Sequence, residues 1–272
     1  MSLQKAQMAL FKAYMDPGYR LAHRLNAQEF SDHFGIHGEY ALTIKALSPD
    51  ELDDFANSLH GKRSVLIKAA LPRTYEWIEK NNPHIIYEYL DVYRPTRSQD
   101  REDIAAYFVP YLNEYLTFWG NTPTVLPAVA RLEFALLLAR NSESAKNVDQ
   151  GSAKKDFTWN SLFWMRRNAS LLRFAVDPLP ALLGKAEMTA PGKPASIIVT
   201  PAPSSSVPIV LRLAAVAATA LEELSEPITA QELMRRCREQ NIGISEDSLK
   251  NTLSALCENE ALGHHYIPDI HE

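Results

Sequence analysis

The sequence contains few of the motifs that catalysis or cofactor binding requires. It has only ten glycines, and none of them forms a phosphate-binding loop or a GxSxG nucleophile turn. No HExxH sequence occurs. His33 and His37 have a spacing that could place two imidazoles on one helix face, but nearby glycines weaken that helix and no third ligand is evident. We therefore assign no catalytic residue and no metal ligand, and we predict that the chain is not an enzyme on its own and holds no cofactor.

Cysteines and long apolar runs are also scarce. The two cysteines are too few for a disulfide framework and lack the CxxC spacing of a metal clip. The longest apolar stretch, at 208–224, is interrupted by Arg212 and is shorter than a membrane span. Lys5 and Lys12 break up the N-terminal region, which does not have the architecture of a signal peptide. These features predict a cytoplasmic protein that does not engage a membrane.

Helical patterns dominate the first 145 residues. The strongest local signal is SPDE at 48–51, in which Ser48 can cap a helix and Glu51 can complete a capping box. Apolar residues after it recur at helical spacing. Pro72 predicts a kink or a break in the helix expected at about 62–81, because proline removes a helical hydrogen bond.

An aromatic stripe at helical spacing follows a polar loop at 91–101. The stripe consists of Tyr107, Phe108, Tyr111, Leu112, Tyr115, Phe118 and Trp119. We interpret it as core packing, the commonest role of such a stripe, because aromatic side chains bury large apolar areas. A ligand pocket is the alternative interpretation.

The last third of the chain has a different character. Residues 185–208 contain five prolines and a serine run, which are typical of a linker, and they enclose a short β-branched strand at 195–200. Helices are expected at 208–224, 229–240 and from 246 onward, followed by a strand within 263–270. Three helices with short turns and a flanking strand are the pattern of a winged helix. The sequence therefore predicts a mainly α protein with a small β component, divided into a helical domain at 1–184 and a winged-helix-like module at 185–272.

The acidic character of this module bears on what it can bind. Residues 205–272 carry a net charge of −6, whereas the rest of the chain is near neutral. A nucleic-acid-binding module needs a basic surface, because phosphate contacts dominate its affinity. A winged helix can instead hold an extended peptide by strand addition. A DNA-binding transcriptional regulator, with the aromatic stripe lining an effector pocket, remains the alternative.

Three segments in succession resemble a known family. They are YRPTRSQDREDIAAYFVPYLNEYL at 93–116, LPAVARLEFALLLAR at 126–140 and NASLLRFAVDPLPALL at 168–183. Together they resemble the HvfC-type family, whose members are often labelled as DNA-binding-domain proteins. The resemblance covers roughly residues 1–185. The two-part layout is most similar to the accessory subunit of 3-thiaglutamate biosynthesis, and more distantly to that of methanobactin biosynthesis.

The resemblance implies a partner role. Members of this family form complexes with multinuclear non-haem iron oxidases, which modify cysteine residues in ribosomally synthesised peptides. It implies that the iron lies in the oxidase subunit, that the two subunits form a heterodimer, and that the C-terminal module is similar to a RiPP recognition element. The expected function is thus a non-catalytic subunit that binds the precursor peptide and stabilises the oxidase.

Two groups of candidate site residues follow. The strand at 196–200 and one face of the helix at 246–258 are expected to receive the peptide, and their candidates are Ile197, Ile198, Val199, Leu249, Leu253 and Leu256. The second group concerns Arg131 and Glu133, two charges at the head of an apolar helix. Because buried charges must be paired, we expect either a structural ion pair with the loop at 94–101, through Arg94, Arg97 or Asp100, or direct contact with the oxidase.

Overall fold

A computed structural model describes residues 2–93, 99–119, 125–142, 157–202 and 205–265 of the chain. The chain divides into two compact units, residues 1–121 and 122–272. The protein is mainly helical with small antiparallel sheets, which confirms the predicted class. None of the helices in the described ranges is long and apolar enough to cross a membrane.

The first unit consists of helices. They are α1 Ser2–Met15, α2 Pro17–Leu25, α3 Ala27–His33, α4 Glu39–Ala46, α5 Pro49–Ala70, α6 Pro72–Asn81, α7 His84–Val92 and α8 Arg101–Trp119. The predicted capping box at the start of α5 is confirmed. The backbone N–H of Glu51 donates to Ser48 Oγ at 3.0 Å, and the N–H of Ser48 donates to Glu51 Oε2 at 2.9 Å. The predicted break at Pro72 is also confirmed, since α5 ends at Ala70 and α6 begins at Pro72.

The second unit combines helices with two sheets. Its elements are α9 Leu126–Asn141, β1 Leu162–Met165, β2 Ser170–Phe174, α10 Leu179–Leu182, β3 Ala195–Ala202, β4 Ser205–Leu213, α11 Ala215–Glu222, β5 Ile228–Thr229, α12 Ala230–Glu239, α13 Glu246–Glu258 and β6 Leu262–His265. The predicted strand at 195–200 and the helices at 229–240 and 246–258 are confirmed as β3, α12 and α13. The predicted strand within 263–270 corresponds to β6, and residues 266–270 lie outside the described ranges.

Each sheet has three antiparallel strands. One has the order β5-β1-β6 and the other has the order β2-β3-β4. A core that includes Leu221, Leu233 and Leu253 joins α11, α12 and α13 to Phe163 of β1 and Ile198 of β3. A second core packs α9 against the opposite face of β3.

Some sequence predictions differ from this arrangement. The helix expected at about 62–81 does not begin near residue 62, because α5 runs without interruption from Pro49 to Ala70. The helix expected at 208–224 begins only at Ala215, because residues 205–213 pair with β3 as strand β4. The β-branched residues Val207, Ile209 and Val210 favour that extended conformation. The domain boundary expected between residues 184 and 185 falls inside the second unit, whose boundary lies at 121/122. The physical reason is that β1 and β2, which precede residue 185, supply strands to both sheets.

Candidate functional site

The six residues expected to contact a peptide are core residues. Each of them is at most 1% exposed. Ile198, Leu249, Leu253 and Leu256 belong to the core around α13, and Ile197 and Val199 belong to the core beneath α9. The assignment to a binding surface is therefore wrong for Leu249, Leu253 and the three residues of β3, which point alternately to two covered faces of the sheet. Leu256 is also buried, but it borders the groove described below.

The position of β3 also rules out the expected strand addition at 196–200. β3 pairs with β2 on one side, from Ser170↔Val199 to Phe174↔Ala195. On the other side it pairs with β4. A central strand has its backbone donors and acceptors engaged by both neighbours, so it cannot take a further strand.

The neighbouring strand β4, unlike β3, lies at an edge of the sheet. In the part of the chain that the structure describes, β4 pairs on one side only, with β3. An edge strand presents a row of N–H and C=O groups that another strand can bind. Pro208 lies within β4, and an edge strand is one of the places where a sheet tolerates proline. From Ile209 to Leu213 the pairing with β3 runs without interruption, whereas a bulge disturbs it near Ala202.

A groove of about 510 Å³ is lined by the end of β4, the start of α11 and α13. Its apolar lining includes Leu211, Leu213, Ile244 and Leu256. Its wall on α13 is formed by small or uncharged polar residues, namely Ser248, Asn251, Thr252, Ala255 and Asn259. Apolar surface combined with a few polar groups is typical of a ligand-binding cleft.

The sequence of α13 explains why it presents this wall. Ser248, Thr252, Ala255 and Asn259 are three or four positions apart, so they share one helix face, and Asn251 lies three positions from Ser248 beside them. Leu249 and Leu253 anchor the other side of α13 in the core. Ser245 fixes the start of the helix, since its hydroxyl oxygen accepts the backbone N–H of Ser248 at 3.2 Å. Two of the leucines expected to bind a ligand, Leu249 and Leu253, therefore orient the wall of α13 toward the groove.

The groove lining is close to electrically neutral. Among its described residues only Arg212 carries a full charge, and a carboxylate offsets it. Arg212 Nη2 lies 2.5 Å from Asp177 Oδ2. The other carboxylate oxygen of Asp177 accepts the backbone N–H of Leu179 at 3.0 Å, at the start of α10. Asp177 is thus held in place and keeps Arg212 at the rim of the groove.

The arginines of α12 are engaged by carboxylates. Arg235 and Arg236 donate to Glu232 Oε1 at 2.7 Å and 2.9 Å. These hydrogen bonds lower the pKa of Glu232 from 4.5 to about 2. Arg238 pairs with Glu246, and Arg236 lies 3.3 Å from Glu226. The basic residues that a DNA-binding helix would direct at phosphates are therefore already neutralised within the protein.

Arg131 and Glu133 lie in different surroundings on α9. Arg131 is exposed, and its guanidinium carbon lies 5.3 Å from the centre of the Phe174 ring, within cation–π distance. Glu133 is 4% exposed. Arg94 and Arg97 lie outside the described residues, so the predicted ion pair with the loop at 94–101 stays a prediction.

In the first unit, the aromatic stripe of α8 packs against Tyr89 and Tyr93, whose rings lie beside the buried Arg63. Tyr89 contacts Phe108 edge to face at 4.9 Å, and Tyr93 stacks on Tyr107 at 4.6 Å. Arg63 donates to the carbonyl oxygens of Leu90 and Tyr93 at 3.1 Å and 2.9 Å. Burial lowers the pKa of Arg63 and raises that of Tyr93 to about 12. This supports the interpretation of the stripe as packing for its inner residues, whereas Phe118 is 82% exposed.

The histidine pair does not share a helix. α3 ends at His33, and Gly35 and Gly38 adopt positive φ angles, so His37 lies in the turn that follows. Within the described ranges, no group of three or more His, Cys, Asp or Glu side chains is arranged to hold a metal ion.

Sequence reasoning misses β4 as an edge strand. Residues 208–213 are expected to form the first part of a helix at 208–224. The β-branched residues in this stretch and Pro208 are the available signals for an edge strand. No protein-family model matches the sequence, and no curated protein shows significant similarity to it.

Proposed function

We propose that this chain is a non-catalytic accessory subunit that binds an extended precursor peptide along β4, in the groove beside α13, and presents it to a non-haem iron oxidase. The iron and the oxidation chemistry belong to that partner, which modifies a cysteine of the ribosomally synthesised peptide. The observation that carries the proposal is that β4, which pairs on one side only among the described residues, lines a groove of about 510 Å³ together with α13.

The order of elements around the groove supports a module similar to a RiPP recognition element. The order along the chain is helix α11, strand β5, helix α12, helix α13 and strand β6. This is the order of elements in a winged helix. In this interpretation α13 is the third helix. β1 contributes the middle strand of the sheet from an earlier part of the chain.

An extended peptide matches the chemistry on both sides of the groove. Its backbone could pair with β4 on one side, as in other strand-addition complexes. Its outward N–H and C=O groups would then need partners, because buried backbone groups are almost always hydrogen-bonded. The hydroxyl and amide groups of Ser248, Asn251 and Thr252 can both donate and accept such bonds.

The alternative of a DNA-binding regulator is disfavoured by charge. α13 carries one lysine, Lys250, and its groove-facing wall is uncharged. The arginines of α12 are paired with Glu226, Glu232, Glu239 and Glu246. Binding to duplex DNA with a steep loss of affinity at higher salt would favour the alternative.

Affinity purification of the tagged chain from its native host tests the proposal. We expect a stoichiometric, iron-containing protein partner, together with a peptide that mass spectrometry can identify. Replacing Ala255 with arginine places a long charged side chain in the groove and should release the peptide while retaining the oxidase. The control is Gln231→Arg, an exposed position on α12 outside the groove, which should retain both. Recovery of nucleic acid without a protein partner would contradict the proposal.

A further inference from the structure

We propose that the groove selects a peptide segment of about five residues that is uncharged, has apolar side chains at alternate positions and carries basic residues on both sides. This inference rests on the proposed function and specifies the chemistry of its ligand. It follows from the length of the groove, the charge of its lining and the charge at its two ends.

The wall of α13 sets the length of the groove. It runs from Ser248 to Asn259, which at about 1.5 Å per residue gives roughly 17 Å. An extended chain rises about 3.3 Å per residue, so about five residues of a bound peptide span this wall. The end of β4 contributes Leu211, Arg212 and Leu213 to the opposite side.

The lining determines which side chains this segment can carry. Alternate residues of an added strand face the groove, where Leu211, Leu213, Ile244 and Leu256 provide apolar surface. A charged side chain at such a position would lose hydration without gaining an opposite charge. Arg212 does not provide one, because Asp177 already pairs with it. The inward positions are therefore apolar.

Carboxylates lie at both ends of α13. Glu246 and Asp247 follow Ser245 at one end, and Glu258 and Glu260 flank Asn259 at the other. Glu246 pairs with Arg238, and Glu260 lies 3.3 Å from Arg166. Asp247 and Glu258 are exposed, so they can attract the cationic residues of an arriving peptide.

Fluorescence anisotropy with the full-length chain and synthetic nine-residue peptides tests the inference. The reference probe has the core Val-Thr-Val-Thr-Val with two lysines at each end, and a second probe has two glutamates at each end. A third has the lysines with the central valine replaced by aspartate, and a fourth has the lysines with a Gly-Ser core. We expect the reference probe to bind about tenfold more tightly than the glutamate-flanked probe, which is the effect expected of a few exposed charge pairs.

Two further results are expected. The aspartate-core and Gly-Ser probes should bind at least tenfold more weakly than the reference probe, although their flanking charge is the same. The double variant Asp247→Asn and Glu258→Gln should reduce the preference for lysine flanks without weakening the glutamate-flanked probe. Equal affinity of the lysine-flanked and glutamate-flanked probes, or tight binding of the aspartate-core probe, would overturn the inference.

A scan of N-methylated reference probes separates this inference from the proposed function. Strand addition predicts a larger loss of binding at alternate methylated amides, because those amides pair with the backbone of β4 whereas the others face the side chains of α13. A period-two pattern without any effect of flanking charge would overturn the inference and support the peptide-binding site. If methylation weakens binding equally at every amide, and Ala255→Arg still abolishes binding, strand addition is overturned. The preference for basic flanking residues would still stand. Absence of binding by every probe would overturn both.

Discussion

Trp164 and Gly263 form a close cross-strand pair between β1 and β6. They are directly paired in the ladder, and the indole ring covers the glycine so closely that a Cβ atom on Gly263 would overlap with Trp164 Cε2. A glycine within a strand often marks such a close approach. The pair joins β1, which lies far from α13 in sequence, to the strand that follows α13.

Replacing Gly263 with alanine should destabilise the second unit. The added methyl group must displace the indole ring, and overpacking of this kind costs about 1–3 kcal/mol in the free energy of unfolding. Urea denaturation followed by tryptophan fluorescence measures the effect. Gly243→Ala is the matched control, because an added methyl group there would meet no atom within 4 Å and the φ of Gly243 is not positive. Equal stability of the two variants would contradict the close packing.

Replacing Ser48 with alanine should destabilise α5. The change removes the oxygen that accepts the N–H of Glu51, and loss of an N-cap typically costs about 1 kcal/mol. The measurement is the midpoint of chemical denaturation, monitored by circular dichroism. Ser58→Ala, at an exposed position within the same helix, should be neutral or slightly stabilising, because alanine is the better helix former. A loss at Ser58 as large as that at Ser48 would argue against a capping role.

Ionisation of Glu232 should make the free energy of unfolding depend on pH. Its pKa falls from 4.5 to about 2 in the folded protein, owing to hydrogen bonds from Arg235 and Arg236. A lowered carboxyl pKa contributes stability that is present above pH 4.5 and lost as the pH falls toward 2. Wild type and Glu232→Gln should therefore differ most near neutral pH and converge in acid. Urea denaturation across this range measures the difference, and a gap that does not change with pH would refute the assignment.

The Cys257 thiol should react slowly in the folded protein. Burial raises its pKa to about 12, so the reactive thiolate is scarce at neutral and mildly alkaline pH. The pKa of Cys237 is also raised by burial. We expect slow labelling by a thiol reagent at about pH 8 and rapid labelling of both cysteines after denaturation. Labelling of Cys257 at the rate of a free thiol in the native protein would contradict its burial.

Local sequence is a good guide where the relevant interactions are local. The capping residues Ser48 and Ser245 act on amides three residues away, so a short motif contains the whole interaction. The same holds for Pro72, which separates α5 from α6. It holds for β3 as well, whose run of β-branched residues disfavours a helix.

Short sequence motifs do not predict the position of a strand within a sheet. β3 and β4 both contain β-branched residues and a proline, Pro201 and Pro208, so Pro208 alone does not distinguish the edge strand β4 from the central strand β3. From the sequence, we expect a strand and the helix α13 to form the peptide site. The strand chosen, β3, is the central one, and the leucines chosen on α13 are buried. The groove is formed instead by the small and polar residues of α13, which a hydrophobic pattern does not emphasise.

The sequence by itself determined the helical class, the main caps and breaks, and the acidic character of the C-terminal region, because these depend on composition and on contacts within a few residues. Only the tertiary structure decided that β1 lies in the middle of a sheet with β5 and β6, and that β4 lies at an edge beside α13. The physical reason is that strand pairing joins residues far apart in the chain, so the order of strands depends on how α9, α11 and α13 cover the faces of β3.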